Sequence, residues 1–473
     1  MRALVTVLAL GTLSGLASAA EPPSAPSTEL PRGQILEKIA VRTDPSETYT
    51  LYLPSSFRSD RAWPILYAFD ARSDGPFVAE LFRAGAEKFG FIVASSNSSA
   101  SDGPMEPNVK SMRAIWADTH ERFPIDDKRV YAAGFSGTVR FACLMAAAAP
   151  GTIAGIIAAG ASFPFDMKPT RDTPFLYFGA IGDRDFNYYE VMDLDEQLTA
   201  LGLPHRVELY PGPHQWMPAE LATKSLAWME VQAMRKGTRP KDSALIEELW
   251  DADLAHAKAL ESSDAVDAHR LYAAMSEDFR NLIDPEILNG IAVKVSEIGA
   301  SPAFKKERKI RQERDQRDKA YLAKAPKALA TTDLAEAVEN LKIQELKRLK
   351  DSPDHQESLA ARRLLSTILG QTSFYLPRMF TEQGNHDRAI FVLSIAAEIV
   401  PESPEVWYDL AASHARKGAK RKALESLRKA VDKGWRDLPR LEQEAAFEPL
   451  RKDKGYRELV EEIRKKPAAA EGS

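Results

Sequence analysis

The chain has 473 residues, 44% of them hydrophobic and 28% charged, which suits two or three packed domains and excludes both wholesale disorder and a polytopic membrane protein. Its 63 lysines and arginines stand against 68 acidic residues, and a net charge of -5 supplies no bulk positive field to hold nucleic acid or an anionic membrane. A single cysteine, Cys143, rules out an internal disulfide, and its alanine-rich setting reads as core packing.

Residues 1–20 carry one cation, Arg2, then an apolar run too short to span a bilayer, then the small residues Ala17, Ser18, Ala19 and Ala20. That order predicts a cleavable export signal and hence a periplasmic or secreted protein. No cysteine follows it, so lipoprotein attachment is not indicated. Residues 21–33, rich in Pro and Ser, are expected to form an extended tether, and residues 465–473 a frayed tail.

From 34 to 237 short β-branched or aromatic runs alternate with helical stretches, as in a sheet covered by helices. ILEKIAV and ETYTLYL alternate polar and apolar residues and predict an antiparallel hairpin at one sheet edge. PILYAFD, FIVASS, VYAAG, AGIIAAG, FLYFGA and HRVELY are compact enough for buried strands. Helices are expected at 75–89, 108–123, 137–149, 188–202 and 218–236. KGTRPKD at 236–242 reads as a linker. A helical domain is expected over 238–370, where no strand run and no repeat is legible.

Over 371–464 a period emerges. Trp407, Leu410, Ala411, His414, Gly418, Ala423, Leu427 and Ala430 occupy the packing positions of a helix-turn-helix unit; one period earlier stand Ser373, Leu376, Pro377, Phe380, Gly384, Ala389, Leu393 and Ala396. This stretch resembles the tetratricopeptide repeat, whose period is ~34 residues. Ser373 and Pro377 depart from its pattern, and Trp435 stands where the second unit should carry its terminal proline. A plain helical hairpin is the other reading.

The strand VYAAG runs into Gly134-Phe135-Ser136-Gly137-Thr138 and then an alanine-rich helix. A serine on such a crowded strand-to-helix turn needs small neighbours, which Gly134 and Gly137 supply. The G-x-S-x-G pattern places glycine where Thr138 stands. By itself the motif fits an ordinary Gly-Ser turn or helix N-cap equally. Its chain order adds weight, because an activated serine needs an imidazole, and the imidazole a carboxylate. Asp183 and Asp185 follow FLYFGA, and His214 follows HRVELY. On this sheet type that is the order serine, acid, histidine.

The stretch 35–237 resembles the α/β-hydrolase superfamily, and within it exported bacterial esterases of the feruloyl-esterase and polyhydroxyalkanoate-depolymerase kind. The resemblance rests on FDARSDG, FPIDDKRVYAAGFSGT, GDRDFNYYE and YPGPHQWMP. It implies an α/β-hydrolase fold, and the helical spacing and repeat-like period after it lead to the expectation of a following all-α, tetratricopeptide-like domain. It also implies Ser136 as nucleophile, His214 as general base and Asp185 as orienting acid, with Asp183 in reserve. An oxyanion needs preset N–H donors. Gly137 is the expected first donor and Ala71 the second, with Arg72 next. Asp70 is expected to brace that loop, and Phe135 and Trp216 to wall the pocket.

The remaining histidines lack paired metal spacing, no H-E-x-x-H run is present, and no nucleotide-binding glycine loop is found. No metal or other cofactor is therefore called for. The expectation is an exported serine esterase acting on an ester substrate that is bulky or polymeric, with the helical repeats open to a protein partner. A peptidase uses the same residue order, and the alternative from another class is an inactive hydrolase fold serving as a periplasmic binding protein.

Overall fold

The computed structural model describes residues 30–465, so the expected export signal, most of the tether and all but the first residue of the expected tail lie outside the described residues. The first half builds one eight-stranded sheet from β1 (Ile35–Ala40), β2 (Thr48–Tyr52), β3 (Trp63–Phe69), β4 (Ile92–Ser96), β5 (Ile125–Phe135), β6 (Gly155–Ala159), β7 (Leu176–Gly182) and β8 (His205–Tyr210). Their spatial order is β1-β2-β4-β3-β5-β6-β7-β8. β1 and β2 form the antiparallel hairpin at one edge, β2 also runs antiparallel to β4, and every other pairing is parallel.

The helices of this half are α1 (Gly75–Phe89), α2 (Glu106–Arg122), α3 (Gly137–Ala148), α4 (Tyr188–Leu201) and α5 (Ala219–Lys236). They cover both faces, which is why β3, β4, β6 and β7 are buried along their whole length and read as unbroken apolar runs. Ile65, Tyr67 and Phe69 of β3 pack into one core with Met112 and Ile115 of α2 and Val139 and Phe141 of α3. Leu66 and Ala68 point the other way, towards Val78 and Phe82 of α1 and Leu226, Trp228 and Met229 of α5. Side-chain alternation thus divides one strand between two cores.

All later elements are helical: α6 (Ser243–Leu260), α7 (Ala265–Asp278), α8 (Pro285–Ala300), α9 (Pro302–Leu329), α10 (Leu334–Asn340), α11 (Ile343–Leu349), α12 (His355–Gly370), a π-helical turn at Gln371–Tyr375, α13 (Leu376–Glu382), α14 (His386–Ile399), α15 (Pro404–Arg416), α16 (Lys420–Asp432), α17 (Leu438–Gln443) and α18 (Lys454–Lys465). Among the described residues no helix is long and apolar enough to cross a membrane.

The described residues divide into two compact units, one holding 30–183 together with 187–312, the other holding 184–186 with 313–465. This division does not coincide with the linker expected at 236–242. The reason is packing: Val231 and Met234 of α5 share a core with Ile246 and Trp250 of α6, Leu271 and Met275 of α7 and Ile291 of α8. A buried ionic cluster reinforces it. Arg206 on the edge strand β8 meets Asp253 of α6 at 2.8 Å, Glu208 at 3.1 Å and Asp278 of α7 at 3.7 Å. Arg270 of α7 donates to the β8 carbonyl of Val207 at 2.8 Å, so the helices also occupy a backbone acceptor on that strand.

In the second unit, residues one sequence period apart are buried alike. Ala389, Leu393 and Ala396 of α14 and Ala423, Leu427 and Ala430 of α16 are all buried. Gly384 and Gly418 both take positive φ in the turns that precede those helices. Trp435, where the repeat pattern wanted proline, is buried and stacks on Tyr408 with ring centroids 4.3 Å apart.

Candidate active site

β5 ends at Phe135, and Ser136 turns the chain into α3 with φ 56° and ψ -126°, a conformation that side chains other than glycine rarely adopt. Its amide donates to the carbonyl of Ala159 at the end of β6 at 2.9 Å. The two glycines around it are sterically required. A Cβ on Gly134 would stand 2.6 Å from the amide nitrogen of Val139, and one on Gly137 would stand 2.7 Å from Cβ of Ser101.

Thr138 fills the place where the pattern wants glycine, and its side chain is fully buried. Its hydroxyl accepts the Phe135 N–H at 2.9 Å and donates to the carbonyl of Phe69 at 2.6 Å. The departure therefore fastens the serine turn to the end of β3, where the next loop begins. Nothing in the local sequence announces this bond, because Phe69 and Thr138 meet only across the sheet.

That next loop is held from several sides. The carboxylate of Asp70, 5% exposed, accepts the amides of Arg72 at 2.6 Å and Asp74 at 3.2 Å and the indole N–H of Trp216 at 2.8 Å. The Asp70 carbonyl accepts from Ser99 Oγ, and the Ala71 carbonyl from the Ser101 amide. Asp70 acts as the brace read from the sequence. The Arg72 amide is thus given to Asp70, and Ala71 lies between the two in this loop. The Gly137 amide lies in the first turn of α3, where N–H groups have no carbonyl partner within the helix.

His214 arrives on the loop after β8. Gly212 donates to Asp183 Oδ1 at 3.0 Å, the Asp183 amide donates to the Tyr210 carbonyl at 2.9 Å, and the Tyr210 hydroxyl donates to the Gln215 carbonyl at 2.6 Å. This frame brings His214 Nε2 to 3.0 Å from Ser136 Oγ. Phe135 lies against the imidazole, with ring centroids 4.6 Å apart, and Trp216 lies 5.7 Å beyond Phe135. Trp216 is 7% exposed, so its ring belongs chiefly to the core while its N–H steadies Asp70.

The structure thus brings together Ser136 and His214 across 78 residues of sequence. Asp183 serves the histidine loop through its bond to Gly212. Asp185 is fully buried, on the Arg184–Phe186 segment that groups with the second unit. One turn along α3, Arg140 pairs with Glu190 of α4 at 2.8 Å, and Glu190 also accepts the Ser162 amide at 3.1 Å, joining α3, α4 and the loop after β6. Cys143 lies on the buried face of α3 itself, and burial pushes its thiol well above the usual range, away from thiolate chemistry. Among the described residues no group of three or more potential ligands is placed to hold a metal ion.

A mostly parallel eight-stranded sheet, helices on both faces and a serine on a strained turn between β5 and the following helix define the α/β-hydrolase fold. No family model and no curated protein matches the chain. Solved structures similar to it include a ferulic acid esterase, at 16% identity and TM-score 0.35, with 41% of this chain and 96% of that one covered. An S-formylglutathione hydrolase from Staphylococcus aureus matches at 18% identity and TM-score 0.33, covering 42% and 99%. A hyperthermophilic esterase from the archaeon Pyrobaculum calidifontis matches at 13% identity and TM-score 0.34, covering 43% and 87%.

Proposed function

We propose that this protein is an exported serine hydrolase that cleaves carboxylic esters through an acyl-enzyme. The observation that carries the reading is the 3.0 Å approach of His214 Nε2 to Ser136 Oγ, on a turn strained in the manner of a nucleophile elbow. With its ring proton on Nδ1, His214 accepts the hydroxyl proton through Nε2 as Oγ attacks the ester carbonyl. The carbonyl electrons move onto oxygen, where the amides of Gly137 and Ala71 stabilise the charge. Collapse expels the alcohol, which takes the proton from Nε2. Water then repeats the sequence on the acyl-serine and releases the acid.

Asp185 is the proposed partner of the imidazolium. Its supports are complete burial, a place just past β7, and the engagement of Asp183 elsewhere, on the Gly212 amide. The charged N-terminus and apolar run support export to the periplasm or outside the cell. The paired helices around Gly384 and Gly418 support a tetratricopeptide-like role in binding a protein partner.

Labelling with a fluorophosphonate tests the nucleophile. The wild type should label and Ser136→Ala should not; absence of label on a folded wild type would remove the enzyme reading. Asp185→Asn should lower ester hydrolysis by orders of magnitude and Asp183→Asn far less, since Asn keeps an oxygen for Gly212. The reverse ranking would transfer the acid's role to Asp183. Aryl, alkyl and amide substrates compared on the same protein separate esterase from peptidase.

A further inference from the structure

The second unit contains a cavity of about 440 Å³, within the range typical of small-molecule sites. Leu322, Leu329, Ile368, Leu376 and Phe380 supply its large apolar side chains, and Arg388 contributes the one ionic group of the lining. Two helix irregularities adjoin it. Pro326, inside α9, removes the N–H that would have met the Leu322 carbonyl, and the π-helical turn at 371–375 inserts extra backbone between α12 and α13. Pro326 and Gln371 both line the space, so the opening lies where regular helix packing is interrupted.

Arg388 has a structural duty. It donates to the carbonyls of Thr331 at 2.6 Å and of Leu329, satisfying acceptors at the end of α9, and its guanidinium lies 4.6 Å from the Phe391 ring and 5.6 Å from that of Phe380. These contacts leave three of its five N–H donors. They also leave its whole charge, because among the described residues no carboxylate lies within ion-pair distance of Arg388. A cation on an apolar wall without a counter-ion favours an anion there, and a guanidinium matches a carboxylate with two parallel hydrogen bonds.

We propose that this cavity binds an amphiphilic monocarboxylate, its head on Arg388 and its apolar body against Leu322, Ile368 and Phe380. The site lies wholly within the second unit and does not depend on the hydrolase reading. Titration calorimetry of the full chain with decanoate, and with decanol as the neutral counterpart, tests it. One decanoate site is expected. R388Q should weaken decanoate at least ten-fold and leave decanol unchanged, with R388K intermediate. Because R388Q also disturbs the end of α9, A325F provides the second arm by filling the cavity. It should abolish binding of both ligands while thermal unfolding stays cooperative. No heat with decanoate up to millimolar concentration, or an affinity indifferent to both R388Q and A325F, would overturn the proposal.

Discussion

Thr138 binds the nucleophile turn to a different strand: its hydroxyl donates to the Phe69 carbonyl at 2.6 Å while accepting the Phe135 amide at 2.9 Å. Valine has the same shape and neither capacity. Thr138→Val should therefore take this partner from the part-buried Phe135 amide and the buried Phe69 carbonyl, at a cost of about 1–3 kcal/mol in urea unfolding, with hydrolysis reduced. Thr138→Ser, which keeps the hydroxyl, should retain most of both. Equal behaviour of the two variants would show that the bond does not matter.

Trp216 presents a second long-range tie. Trp216→Phe keeps the ring packed on Phe82 but removes the N–H that reaches Asp70 Oδ2. The expected loss is about 1–3 kcal/mol of stability. If the loop after β3 carries the Ala71 donor, kcat should fall while KM changes little, because that donor acts on the transition state. A rise in KM alone would instead make Trp216 a wall of the substrate pocket.

Asp278 gives a pH signature. Burial raises its carboxyl to about 6, against the opposing pull of Arg206. Since the folded value lies above the ordinary one, the folded protein holds this proton more tightly than the unfolded chain. That stability is present at low pH and is lost as the pH rises from about 4 through about 6. Asp278→Asn cannot lose a proton, and its side-chain oxygen still meets Gln232. Relative to wild type it should gain on the order of 2 kcal/mol between pH 4 and pH 8. Parallel stability–pH curves for the two proteins would contradict this.

Truncation should separate a compact unit from an arbitrary cut. A chain ending at residue 240 bares Val231 and Met234 and leaves Arg206 without Asp253 and Asp278, whereas one ending at 312 keeps all of these partners. The shorter chain should aggregate or unfold at low urea, because the cut returns the apolar surface of α5 that α6–α8 cover to water. The longer should unfold cooperatively. Equal stability would mean that α6–α8 are dispensable.

Much of the sheet was legible because parallel strands covered on both faces are written as short apolar runs; PILYAFD and FLYFGA announce β3 and β7 in this way. Gly134 and Gly137 were legible as steric requirements, and the clashes a Cβ would meet at each supply the reason. The extent of the first unit was not legible at 236–242. A linker-like composition does not reveal that Val231 and Met234 need a second layer of helices. Nor does Arg388 look different in sequence from the paired arginines around it.

The sequence by itself determined the alternation of strand and helix, the all-helical second half and the chain order of serine, acids and histidine, because these depend on local periodicity and on which residue follows which. Tertiary structure decided what no neighbour in the chain could: the 3.0 Å meeting of Ser136 and His214, the use of Thr138 and Trp216 as ties to β3, and the cavity beside Arg388. Hydrogen bonds between residues far apart in the chain, and the partners available to a buried charge, exist only once the sheet has been assembled and its helices laid down.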